Sequence, residues 1–189
     1  MSETTTQELI QLAWETLPAS HRRLLEQIGA SQWGIVEEPL GDVTRDLLHA
    51  PDRRAQTRAQ TEADNKALGI WVAELRLVLI NEMHPAVLSA DPPTRERMLT
   101  WVAWHEWGHA LSVASHTPHD PSEGPRLVDL APPGIRERIR RANYPRREYI
   151  HELIAETYAL LMRARVEGRP GQPTWLPNEI YQLITRIGA

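Results

Sequence analysis

The chain has no cysteine and no phenylalanine, and its one lysine, Lys66, stands against 20 arginines. Without cysteine there is neither a disulfide framework nor a thiolate zinc knuckle, so any bound metal must be held by histidine and carboxylate side chains. A long apolar run is also lacking. The longest, Met98 to Ala114, is interrupted by His105, Glu106 and His109 and falls short of the roughly 20 residues of a membrane span. The N-terminal MSETTTQELI carries no basic start, apolar middle or cleavage site of a secretory signal, so a cytoplasmic location is expected. Charge of one sign is not in excess: 21 basic residues face 25 acidic ones, a net of -4. That balance gives no electrostatic case for direct nucleic-acid or membrane-surface binding. The preference for arginine and the missing phenylalanine read as codon bias and carry no mechanism.

What is present suits one cored domain over residues 1–189, with 41% hydrophobic and 24% charged residues and no internal repeat. Apolar spacing predicts a helix from Thr6 to Leu17, capped by Thr6, and a second from His21 to Ile28, capped by Ser20 and stopped by Gly29. This hairpin sets Arg22 and Arg23 against Glu8, Glu15 and Glu26, so it offers no basic face for DNA. Trp33 to Val36 suggests a short strand, and Asp52 to Lys66 an exposed helix or loop. The segment IWVAELRLVLIN, Ile70 to Asn81, is rich in β-branched and large apolar residues and reads as one or two strands. A Thr94 cap then opens a helix that is apolar on nearly every face and so is expected at the centre of the core. Ser115 to Gly134 is proline-rich and reads as a long irregular loop. Helices from about Arg146 to Glu167 and Asn178 to Ile187 complete the chain.

The central helix contains His105-Glu106-Trp107-Gly108-His109. Positions i and i+4 share a helical face, so both imidazoles can grip one Zn²⁺ while Glu106 reaches its water. With 8 histidines and 18 glutamates, roughly 0.03 accidental HExxH matches are expected in a chain of this length. A third ligand is required. A metzincin would place a glycine and a histidine where Ser112 and Ser115 stand, and His116 is one residue out of register. His116, His119 and Asp120 lie in the proline-rich stretch and read as surface residues. The segment HELIAETYALLM offers Glu152 and Glu156, again at i and i+4, on an otherwise apolar helix. This is a gluzincin-like arrangement. Glu152 is the preferred ligand and Glu156 the group that orients a ligand histidine, with the reverse assignment still open. Tyr149, one turn before Glu152, is a candidate donor to an oxyanion, and His151 and His116 are lesser ones. The arginines at 136, 138, 140, 141, 146 and 147 form a run that reads first as a solvated face and second as a surface for an acidic partner.

The order of these parts, a strand ending LVLIN, the helix RMLTWVAWHEWGHAL and the helix ELIAETYALLM, resembles the ImmA/IrrE-type zinc metallopeptidases over about residues 68–165. Trp107 departs from the usual small aliphatic residue, and Glu156 stands where Asn or Asp is usual. The resemblance implies an α+β, zincin-like fold in which a small sheet packs on the HExxH helix and the remainder is helical. It divides the chain into residues 1–67 as helical hairpin and variable region, 68–167 as metallopeptidase core and 168–189 as C-terminal helix. Zinc ligands His105, His109 and Glu152 are implied, with Glu106 as general base. The implied activity is cleavage of a protein or peptide partner, such as a transcriptional regulator. In zincin folds a strand beside the active helix docks extended substrate, which points to Leu75 to Asn81, and the stretch from His116 to Gly134 would be a lid. The competing readings are a peptidase acting as a toxin and a zinc-stabilised interaction module without hydrolysis.

Overall fold

The computed structural model describes residues 4–48, 64–115, 123–142 and 144–187. Most of Asp52 to Lys66, together with His116, His119 and Asp120, lies outside them. The α+β expectation holds: a three-stranded mixed sheet packs against one long helix, and the rest is mainly helical. No helix among the described residues is long and apolar enough to cross a membrane.

Helix α1 (Thr6–Glu15) is capped one residue earlier than Thr6, at Thr5, because Thr5 and Glu8 form a reciprocal capping box. Helix α2 (Ala19–Gln27) begins directly after Pro18, with no side-chain cap from Ser20. It ends as expected at Gly29, whose φ of 75° lets the Ala30 N–H reach back to the Leu25 carbonyl. Strand β1 (Gln32–Val36) follows, then α3 (Leu40–Leu47), a helix with no counterpart in the sequence analysis. The segment from Ile70 is two strands, β2 (Gly69–Val72) and β3 (Leu77–Asn81), joined by a turn in which Arg76 takes φ 52°.

The strand order is β1-β3-β2, with β1 parallel and β2 antiparallel to β3. The run LVLIN is apolar throughout because both its faces are covered. Val78 and Ile80 enter the main core, whereas Leu79 and Val72 pack with Leu40 of α3 on the other side. Strand β3 is therefore the central strand, hydrogen-bonded along both edges. This corrects the expectation that Leu75 to Asn81 docks substrate: the edge nearest the long helix belongs to β2.

After the single turn α4 (Pro85–Leu88), α5 (Pro92–Ala114) runs through the core. Its cap is Asp91 rather than Thr94, since Pro92 and Pro93 fill first-turn positions whose N–H groups have no helical partner. The same principle overturns the loop expected from Ser115 to Gly134. Helices α6 (Glu123–Leu130) and α7 (Pro133–Arg141) occupy its described part, with Pro125 and Pro133 in their first turns. Leu127 and Val128 are buried in the main core, so residues 123–130 form a packed helix rather than a lid. A 3-10 turn, Arg146–Glu148, leads into α8 (Tyr149–Val166), and α9 (Asn178–Thr185) closes the fold.

Helices α5 and α8 approach each other closely at Gly108. A Cβ on Gly108 would lie 2.7 Å from the Ala155 Cα and 3.3 Å from the Tyr158 Cβ. Gly108→Ala must push the two helices apart and is expected to cost about 1–3 kcal/mol in denaturant-unfolding free energy. Unchanged stability would show that the helices are not in this register.

Candidate metal centre

The long helix is buried on most sides, and α1 and β1 hold its register. The Trp104 indole N–H donates to the Ala13 carbonyl at 3.1 Å, and Trp107 packs between Trp14 and Trp33, with ring centroids 5.2 and 5.9 Å away. This anchorage fixes the turn that presents His105 and His109. Helix α8, drawn in at Gly108, carries Glu152 to the same place.

One ligand atom from each of His105, His109 and Glu152 lies within 4.8 Å of the other two. The His105 and His109 Nε2 atoms are 3.1 Å apart, and Glu152 oxygens stand 3.5 Å from His109 Nε2 and 3.9 Å from His105 Nε2. Tetrahedral zinc with bonds of about 2.0–2.1 Å separates its ligand atoms by about 3.3 Å, a value these distances bracket. Two imidazole nitrogens and a carboxylate suit a borderline-soft divalent cation. Burial holds the His105 imidazole down to about 4, with the Arg138 guanidinium adding to the effect, and it holds His109 well below the usual range, with His105 and His151 adding. Both histidines are therefore neutral at pH 7, the form that can bind a metal. Burial pushes the Glu152 carboxyl up to about 8, reinforced by Glu156 and Glu148.

These shifts set the proton balance of metal binding. Above pH 6.5 the depressed histidines have no proton to lose, whereas Glu152 must give one up to become a ligand. Zinc binding at pH 7 is therefore expected to release at least one proton, that of Glu152, with neighbouring Glu106 and the metal-bound water as further sources. Calorimetric titration in buffers of different ionisation enthalpy measures this number. No release at pH 7 would mean that Glu152 is not the acidic ligand.

Glu106 is buried at 6% exposure next to the triad without belonging to it. Burial raises its carboxyl to about 8, the charge of Glu152 raises it further, and the Trp71 backbone N–H, bonded to the carboxylate, opposes both. That bond links the helix to β2. The Asn81 N–H pairs with the Leu68 carbonyl at 2.9 Å, so by antiparallel alternation the backbone groups of Gly69 and Trp71 face outward from the sheet. Gly69 packs so tightly that an added Cβ would lie 2.5 Å from Val102 and 3.1 Å from the Glu106 Cγ.

The other residues singled out from sequence are placed differently. The Glu156 carboxylate accepts from Arg138 at 2.7 and 3.0 Å and has no ligand histidine among its hydrogen-bond partners, because α7 packs along α8 at that turn. Tyr149 packs against the main core, its Cβ 3.5 Å from where a Gly124 Cβ would stand. The tyrosine beside the triad is Tyr144. It lines a pocket with His105, Glu152, Glu156 and Arg138, and burial and the carboxyls of Glu152, Glu106 and Glu156 push its hydroxyl upward, so it stays protonated. Sequence reasoning missed it because it sits in the connection before α8, where no helical periodicity relates it to Glu152. The His151 Nδ1 meets the hydroxyl of buried Ser112.

No family model, curated protein or solved structure matches this chain. Fold and site together define an α+β protein with a candidate metal centre of the HExxH type.

Proposed function

We propose that the protein is a zinc-dependent metalloendopeptidase that hydrolyses peptide bonds in a protein partner. The observation that carries this reading is Glu106, a carboxyl buried beside three convergent ligands yet not one of them. A site that only stabilised the fold would have no use for a buried fourth acid, which disfavours the interaction-module reading.

His105, His109 and Glu152 would hold the zinc, and the bound ion would supply Lewis acidity toward water and the scissile carbonyl. Glu106 removes a proton from the attacking water as the new C–O bond forms. It then delivers that proton to the amide nitrogen as the C–N bond breaks, so the base is regenerated with each turnover. The outward Gly69 backbone groups and the Trp71 carbonyl lie beside Glu106, which takes the Trp71 N–H, and suit an extended peptide added along β2. Tyr144, protonated and lining the pocket with His105 and Glu152, would donate to the developing oxyanion in place of Tyr149. The resemblance to ImmA/IrrE-type peptidases supports restricted cleavage of a regulatory protein as the setting, with toxin activity as the competing one.

The test is to incubate zinc-loaded protein with a digest of unmodified peptides and count new termini by mass spectrometry. New termini that disappear with a chelator and return with zinc support the reading. A zinc-loaded, folded protein that produces none contradicts it.

A further inference from the structure

The arginines from 136 to 147 form one basic run in the sequence, and the structure divides them. Arg136 donates to the Asp129 carbonyl, Arg140 to the Asp129 carboxylate, and Arg147 to Glu148 beside it. Arg138 and Arg141 instead line a pocket of about 340 Å³ together with Tyr144 and the proposed ligands His105 and Glu152. We propose that this pocket is a substrate subsite that selects a carboxylate close to the scissile bond, an inference that rests on the peptidase reading.

The volume has room for an amino-acid side chain together with part of the neighbouring backbone. Because His105 and Glu152 form part of the wall, whatever fills the pocket belongs to a residue whose backbone lies at the metal centre. Ile139 and Ala142 give the pocket an apolar side for methylene groups, the donors are the two guanidiniums and the Tyr144 hydroxyl, and the one further carboxylate in the wall, Glu156, is already paired with Arg138. Arg138 stays available although it pairs with Glu156. Both of its contacts, from Nε and Nη2, end on the same Glu156 oxygen, so Nη1 has no hydrogen-bond partner among the described residues. The guanidinium lies 5.9 Å from the Trp101 ring centroid, which steadies its plane. Among the described residues Arg141 pairs with Glu137 of its own helix alone, and with side chains 81% and 58% exposed that pair yields readily to a competing anion. A planar guanidinium fork matches a carboxylate in geometry as well as charge. A lysine or arginine side chain would instead meet two guanidiniums and a bound dication. The carboxylate can belong to an Asp or Glu side chain or to a substrate's C-terminus.

The test measures binding by calorimetry to zinc-loaded protein, with short peptide hydroxamates that differ in one position: Glu, Gln, Lys, or a free C-terminal carboxylate in place of the side chain. The Glu compound is expected to bind about tenfold or more tighter than the Gln compound, and the Lys compound weakest. Arg138→Gln should bring the Glu-to-Gln ratio toward one. Arg141→Glu, at an exposed position that does not endanger folding, should invert it, which keeps the test decisive if loss of Arg138 leaves Glu156 disruptive. A free carboxylate binding tighter than Glu supports the subsite and assigns it to chain ends, and the opposite order assigns it to acidic side chains. Equal binding of Glu, Gln and Lys compounds overturns the subsite and leaves the peptidase reading standing. No hydroxamate binding to zinc-loaded protein overturns both.

Discussion

Glu106→Gln is expected to lower peptide hydrolysis by about 10²–10⁴-fold while the protein keeps its metal and its fold. Glutamine has nearly the same shape and can still accept the Trp71 N–H, so the contact between α5 and β2 survives. It cannot take a proton from water or return one to the leaving amine. Stability should not fall, because the wild-type carboxyl is buried at 6% exposure and glutamine removes an ionisable group that burial disfavours. Turnover of a reporter peptide, measured beside metal content and urea unfolding, separates these effects. Activity within a few-fold of wild type would show that Glu106 is not the base.

The second large effect concerns the third ligand. Glu152→Ala removes one of three convergent donors and leaves His105 and His109, whose nitrogens are 3.1 Å apart, as a two-ligand site. Zinc affinity is expected to fall by more than the about 10–100-fold typical of losing a supporting residue around a metal site. Glu156→Gln is the informative partner. It weakens the contact to Arg138 but leaves the triad intact, so its effect on zinc affinity should stay within about tenfold. Competition with a chromophoric chelator measures both. If Glu156→Gln abolished binding while Glu152→Ala did not, the assignment of the two carboxylates would have to be exchanged.

Much of the centre was legible because the helix imposes its own geometry. In His105-Glu106-Trp107-Gly108-His109, spacing alone places both imidazoles on one face, and the apolar neighbours of Glu152 leave it no polar face to belong to. Side-chain partners set by tertiary packing were not legible. Glu156 shares a helical stripe with Glu152, yet the approach of α7 gives it to Arg138. Tyr149 has the right spacing along α8 and the wrong surroundings, whereas Tyr144 has no spacing signal and lines the pocket. In the fold, proline was over-read as a breaker. Pro92, Pro93, Pro125 and Pro133 stand in first turns, where a missing N–H costs nothing, and two helices were hidden by that reading. Likewise LVLIN was recognised as a strand, but its central position follows from β1 pairing on its far side, which no local pattern encodes.

The central claim is that His105, His109 and Glu152 form a metal site, and metal content tests it most directly. Elemental mass spectrometry of wild-type protein, purified without chelators and exchanged into metal-free buffer, should find about one zinc per chain. A well-folded protein that carries no metal and takes up none from added zinc would contradict the account.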